Sequence, residues 1–379
     1  MKAVVTGQVG LDKRHFLDRV TTIARDQGFD LTTCHVGEMM YREAPDVAPG
    51  RILDLPLSRL NSLRRSVFKD VLRTCDQKAN VLVNTHATFR WRHGLFYAFD
   101  HDQMQALDAD VYIVLLDNVD RVHYRLVRDG HTDHSLKDLM VWREEEIMAT
   151  ELLSQIASGH GCFYISAVGD DPATCGTAEA IVRLLFRPEI KTAYLSFPMS
   201  HVLGNARLMG EIEAFRRDMK QFFTCFDPAD MEEKYLCELA IKAAQEGQRT
   251  VEAGPEGERT TLEVADLLSI FPDIDGQIYV RDFKLIDQAD MIVSLIPQLD
   301  DGMPGLSSGV ERELQHAHEA TRDVFVIWLS EKAPSPFVTE TANRVFKSVK
   351  EAVDYFLENG YMPAQPTGQL FNQPARAGQ

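Results

Sequence analysis

The sequence predicts an α/β protein made of two doubly wound parallel-sheet domains, and three observations predict it. Over residues 1–188 the short apolar runs KAVVTG, LTTCHVG, VLVNTHA, VYIVLLD and CFYIS alternate with helical patterns, the signature of a parallel sheet covered on both faces. A second series, TAYLSFP, FFTCFDP, MIVSLIP and VFVIWLS, follows within residues 189–360. Between the two, FRPEIK (Phe186–Lys191) sets a proline at a helix end just before a new strand, which marks a boundary. The 379 residues suffice for two domains that each bury a core. Residues 361–379 end in PAQPTGQLFNQPARAGQ and read as a flexible tail.

The formal charge of −17 argues against duplex nucleic acid or an anionic membrane as partner, because both reward a basic face. No apolar run reaches the roughly 18 residues of a membrane span, so a soluble, cytoplasmic protein is expected. Cys34, Cys75, Cys162, Cys175, Cys225 and Cys237 form no CxxC pair, and reduced thiols without a metal are expected.

Taken in order, the first strand runs into GQVGLDKR, Gly7 to Arg14. A phosphate-cradling loop reads G-x-x-x-x-G-K-[ST]. Gly7, an additional Gly10 and Lys13 are in place, whereas Asp12 stands at the second glycine and Arg14 at the hydroxyl residue. An aspartate there repels polyphosphate, and losing the hydroxyl removes the usual Mg²⁺ ligand. Further on, HATFRWRH (His86–His93) offers Arg90 and Arg92 to a phosphate and Phe89 and Trp91 to a base. Equally, the rings pack the segment onto the sheet and the arginines pair with surplus acids. The strand VYIVLLDN feeds a basic helix with Arg121, Arg125 and Arg128, then the short DGHTDHSLK (Asp129–Lys137). WREEE (Trp142–Glu146) reads as a solvated helix with charge pairs and no chemistry.

On these features the N-terminal half resembles the adenylate-kinase-like P-loop nucleoside monophosphate kinases, with a degenerate loop. The resemblance implies nucleotide binding through Gly7, Gly10, Lys13, Arg14, Arg90 and Arg92, with ATP and Mg²⁺ as cofactors of a retained kinase. Binding without transfer and a purely structural domain are the other expectations.

In the second half, the polar stretch from Gln245 to Asp275 reads as a mobile surface insertion. ADMIVSLIP (Ala289–Pro297) reads as a buried parallel strand. The loop Gln298–Leu306 then leads to Ser307, Ser308 and Gly309, which open an amphipathic helix with Val310, Leu314 and Ala317 on one face. Ligands of open α/β sheets lie beyond the carboxyl ends of the strands, which puts Glu313 beside the crevice. A carboxylate there can attack the anomeric carbon of a sugar and displace its base. Asp282, on the helical segment before the strand, is a natural second carboxyl for the departing base. Ser307, Ser308 and helix-start N–H groups suit a phosphate. As plain structure, the same residues are a solvated glutamate and helix caps. Asp301 borders the crevice or a solvated loop; Asn205 and Arg207 reach a substrate or only solvent. His316 and His318, two apart, point to different helix faces and imply no metal.

TAYLSFP with Tyr194, DFKLIDQAD with Asp282 opening a helix, and SSGVERELQHA carry a second resemblance. Residues 191–356 resemble the nucleoside 2-deoxyribosyltransferase family and its 2'-deoxynucleoside 5'-monophosphate N-glycosidase branch. The resemblance implies that Glu313 is the nucleophile, that Asp282 attends the base, and that Tyr194 positions sugar and nucleophile. Ser307 would contact a 5'-phosphate, with Ser308, Gly309, Ser196 and Asp301 completing a substrate site. It further implies a flavodoxin- or Rossmann-type sheet, a nucleoside or nucleotide substrate, no cofactor for the glycosyl step, and a homodimer. Gln315 and Phe197-Pro198-Met199 stand where the family has glycines. The expected function is cleavage or exchange of an N-glycosidic bond, with a role in nucleotide salvage or turnover. The alternatives are a nucleoside monophosphate kinase with an accessory domain and a non-catalytic nucleotide sensor.

Overall fold

The computed structural model describes residues 1–91, 94–131, 134–169, 176–202 and 204–364. Its strands are β1 (Lys2–Thr6), β2 (Thr32–His35), β3 (Val81–Asn84), β4 (Thr88–Trp91), β5 (Gly94–Tyr97), β6 (Val111–Leu116) and β7 (Phe163–Ala167), then β8 (Thr192–Ser196), β9 (Thr224–Phe226), β10 (Thr250–Ala253), β11 (Thr260–Glu263), β12 (Met291–Ile296), β13 (Asp323–Trp328) and β14 (Arg344–Phe346). The chain divides into two compact units. Unit 1 holds Met1–Gly169, Thr177–Leu185 and Asp230–Gln277; unit 2 holds Phe186–Ala229 and the chain from Ile278 onward.

Unit 1 is built on a five-stranded parallel sheet of order β2-β3-β1-β6-β7. β6 is buried along its whole length, as expected of a central strand covered on both faces. Val4, Val81, Val83 and Tyr112 form one core with Val67, Phe68 and Val71 of the helix Leu57–Gln77. The order reverses at β1, whose carboxyl end opens between β3 and β6 and releases the Gly7–Lys13 loop.

Three expectations for this region change. The strand expected at VLVNTHA is shorter: β3 ends at Asn84, and Thr88–Trp91 turns back as an antiparallel hairpin with β5. The stretch from Gln245 to Asp275 is not a loose insertion. It folds as the hairpin β10–β11 and the helices Val264–Ser269 and Phe271–Asp287, and it clusters with unit 1 although it follows unit 2 strands in sequence. Its acids are anchored: Glu258 accepts Arg125 Nη2 at 2.8 Å, and Glu233, just upstream, accepts Arg143 Nη1 at 2.8 Å and Nη2 at 3.0 Å. Finally, WREEE is not a solvated face, because Trp142, Arg143 and Glu146 are all buried.

Unit 2 carries the order β14-β13-β12-β8-β9, again all parallel. The sequence missed β14 because three residues, RVF, are too short for a period. Alternation on β8 and β12 divides the sheet into two faces. Ala193, Leu195, Met291, Val293 and Leu295 pack with Phe215, Met219, Phe222 and Phe356 on one side. Tyr194, Ser196, Ile292 and Ser294 therefore face the other side. The chain leaves β8 for β9 on one flank and returns to β12 on the other, which places the topological switch between β8 and β12.

Among the described residues no helix is long and apolar enough to cross a membrane. Cys34, Cys75, Cys162, Cys225 and Cys237 are free thiols. Arg92, Cys175 and residues 365–379 of the tail lie outside the described residues.

Candidate active site

Glu313 is set in place by the helix Ser308–Glu319. Ser307 caps it, its Oγ accepting the Val310 N–H at 3.3 Å, and Val310, Leu314 and Ala317 are the buried stripe that seats it on the sheet. Glu313 lies beside that stripe and meets the polar face of β8. The Tyr194 O–H donates to Glu313 Oε1 at 3.1 Å, and the Ser196 O–H donates to Oε2 at 2.6 Å. Ser294 of β12 donates in turn to Ser196 Oγ at 3.3 Å. Tyr194, Ser196 and Ser294 are wholly buried. A tyrosine and a serine two apart on one strand thus clasp both oxygens of one carboxylate at the switch point, where open sheets bind ligands.

The surroundings of Glu313 disfavour its charged form. Enclosure raises the Glu313 pKa to about 8; the nearby Asp282 charge adds to the rise, while the Ser196 and Tyr194 hydrogen bonds oppose it. Burial beside these two acids keeps Tyr194 protonated, with a pKa well above that of a free phenol. Asp282 contacts Arg281 at 3.4 Å. It does not open its helix, which starts at Phe271, but sits in its later turns, from where its charge acts on Glu313. Tyr194→Phe removes one donor to the ionised carboxylate. On the activity proposed below, turnover should fall about 10- to 100-fold, for a lost hydrogen bond to a charge, and the alkaline-rising limb of the pH–rate profile should move to higher pH.

The other predicted residues of this half are placed as follows. Ser307 spends its hydroxyl on the cap, and Ser308 and Gly309 form the exposed first turn. Asp301 accepts the Met303 N–H at 2.9 Å and so shapes its own loop. Asn205 caps the helix Ala206–Phe222 and donates to Asp300, which also takes Arg207 at 2.8 Å. His316 bonds Asp287 at 2.8 Å and stacks on Phe283.

In unit 1 the degenerate loop is occupied by the protein itself. Gly7 has φ +141°, and a Cβ there would meet Leu11 Cδ1 at 2.6 Å and the Leu115 carbonyl at 2.8 Å, so only glycine fits. Asp12 takes the left-handed backbone (φ 48°) that a glycine would favour, and its carboxylate pairs with Arg128 at 3.3 Å. Lys13 is buried, and its Nζ donates to the carbonyls of Gly7 at 2.5 Å and Thr85 at 2.6 Å. Burial lowers its pKa to about 7, with the Glu146 charge partly offsetting. The Gly7 N–H, which would face a phosphate, donates to Glu146 Oε1 at 3.0 Å. Glu146 also accepts the N–H groups of Ala87 and Thr88, both at 2.8 Å, and the Thr88 hydroxyl at 2.6 Å. Gly10 packs against Val122 and Leu126. Arg14 pairs outward with Glu38 and Asp18, and Arg90 makes a two-pronged pair with Glu145. Glu146 is the residue the sequence missed: its run of acids reads as surface, and only the packing of its helix, Leu136–Ala157, against β6 and its bond to the loop after β1 show otherwise.

No family model matches the chain, and no curated protein matches it. Among solved structures it is similar to shikimate kinase from Bacteroides thetaiotaomicron, with 15% identity over 49% of this chain and 96% of that one and a TM-score of 0.32. It is also similar to shikimate kinase from Acinetobacter baumannii in complex with shikimate (12% identity, 48% and 89% covered, TM-score 0.27). A third is phosphoglycerate kinase from Coxiella burnetii (13% identity, 75% and 71% covered, TM-score 0.18). At TM-scores this low the likenesses bear neither on fold nor on chemistry.

Proposed function

We propose that unit 2 cleaves or exchanges the N-glycosidic bond of a nucleoside or nucleotide, with Glu313 as the nucleophile. The observation that carries this reading is the clasp of one carboxylate by Tyr194 and Ser196 at the switch point, beside a second acid. In the reaction Glu313 Oε forms a bond to C1' as the C1'–N bond breaks. The base leaves with the electron pair and takes a proton from the Asp282 carboxyl, which regains one from the water or second base that enters next. Water or a second base then displaces the ester and regenerates the carboxylate. Tyr194 and Ser196 hold the attacking oxygen in line and release it as its charge is lost. Exposed N–H groups at Ser308 and Gly309 are available to a 5'-phosphate. No cofactor enters these steps. A homodimer that completes the site belongs to the same reading.

The test incubates the full chain with nucleosides, deoxynucleoside monophosphates and NAD and measures released base by chromatography. Release is expected for at least one substrate, and its absence across the panel overturns the proposal.

A second reading, phosphoryl transfer in unit 1, is favoured by Lys13 following a glycine turn at the end of β1 in a parallel sheet. A bound phosphate would have to displace Glu146 from the Gly7 N–H and reclaim Lys13 from two carbonyls. On this reading, Mg²⁺-dependent consumption of ATP appears with a nucleoside monophosphate acceptor, and Lys13→Ala abolishes it. ATP consumption unaffected by that substitution removes the reading.

A further inference from the structure

The helix Leu136–Ala157 is apolar on more than the side that unit 1 covers. Leu139, Met140, Trp142, Ile147 and Leu153 are buried. Met148, Leu152 and Ile156 recur at i, i+4 and i+8, which sets them in a row along another side of the helix, and that row is open to water. The row does not stand alone. With Leu95, Phe96 and Tyr97 of β5 it lines one groove of about 600 Å³. These six side chains are between 38% and 75% exposed. β5 pairs with β4 alone among the described residues, so its outer edge is uncovered as well. A helix that is apolar all round ordinarily belongs in an interior, and connected apolar surface beyond a few hundred Å² marks a place where something docks.

Area and charge indicate what docks. Half-exposed side chains of this size leave roughly 100 Å² each to water, so one copy presents on the order of 600 Å² of connected apolar surface. Two copies covering each other would bury about 1,200 Å², where the range of stable interfaces begins. The formal charge of −17 opposes self-association unless the contact avoids acids. This face does so: Glu145, the one carboxylate among the described residues lining the groove, is held by Arg90 in the two-pronged pair. A basic partner helix, the main rival, finds no unpaired carboxylate there. We propose that this face of unit 1 docks a second copy of the chain in a two-fold dimer, the two helices antiparallel and crossing at Leu152. On the axis a residue meets itself, as an isologous contact requires, and Met148 meets the partner's Ile156. Glu144 and Glu145 then fall opposite residues 158–161, SGHG, which carry no acid. The contact is made by unit 1 and depends neither on the glycosyl reading of unit 2 nor on the dimer that belongs to it.

The test is sedimentation velocity of the full chain over a concentration series, beside Leu152→Glu and an equimolar mixture of Leu152→Glu with Leu152→Lys. The parent should sediment as an assembly of at least two chains at about 10 µM. Leu152 is exposed, so both variants should keep the far-ultraviolet circular dichroism of the parent. Leu152→Glu alone puts like charges on the axis and should halve the mass of the assembly. Mixing it with Leu152→Lys puts opposite charges there and should restore that mass. A parent that stays monomeric to about 0.1 mM overturns the proposal; if a fluorescent leucine-lysine helical peptide then binds it, and Leu152→Glu does not bind, the groove takes a foreign helix instead. A mass unchanged in Leu152→Glu, or not restored on mixing, overturns it as well.

Discussion

Glu313→Gln is expected to reduce base release about a thousandfold or more, since an amide oxygen cannot form the glycosyl ester. The same substitution has a second signature that does not depend on finding the substrate. The folded-state pKa of Glu313 is about 8, whereas the unfolded value is about 4.3. Folding therefore retains a proton that the unfolded chain releases between these limits. The stability linked to it is fully present below the unfolded pKa and is lost as pH rises through about 8. Glutamine does not titrate, so the variant should gain in melting temperature relative to the parent from pH 5 to pH 9. Parallel melting curves across that range would remove the raised pKa, and undiminished base release would remove the nucleophile. On the proposed mechanism the ionised carboxylate attacks, so parental activity should rise with pH toward 8.

Glu146→Ala should produce the largest loss of stability in unit 1. It strands the N–H groups of Gly7, Ala87 and Thr88 and the Thr88 hydroxyl, all buried around one carboxylate. Removing one partner from a buried charged network costs about 3–5 kcal/mol, or about 10 °C in a unit of this size. Lys13 simultaneously loses the charge that supports its protonated form, so its pKa should fall further below about 7. Glu146→Gln, which keeps an acceptor but turns an amide toward donors, should fall between. Circular dichroism melts of the three proteins decide the matter, and a loss of only a degree or two would mean that water satisfies the loop as well as Glu146 does.

The contrast between Glu313 and Glu146 shows what a linear reading reaches. SSGVEREL carries a cap, an apolar stripe and an acid at a fixed place beside it, so the position of Glu313 follows from helical period and the location of crevices in open sheets. Tyr194 and Ser196 came into view only through the family resemblance; that both reach Glu313 from one face of β8 was left to the fold. WREEE offers no such cue, because a run of acids in a helix is ordinarily solvated, and its burial depends on donors at residues 7, 87 and 88. Likewise the Gly- and acid-rich segment after Gln245 looks loose until Arg125 is found opposite Glu258, 133 residues away.

The sequence by itself determined what is periodic and local: the strands long enough to show a pattern, the parallel sheets that helix–strand alternation demands, the helix seam beneath Glu313, and the missing glycine and hydroxyl of the first loop. Tertiary structure alone decided where Asp230–Gln277 belongs and that Glu146 fills the loop after β1. The physical reason is one of range. Apolar period is written into neighbouring residues, whereas the partner of a buried charge is chosen by chain segments far apart in sequence, and no spacing rule encodes it.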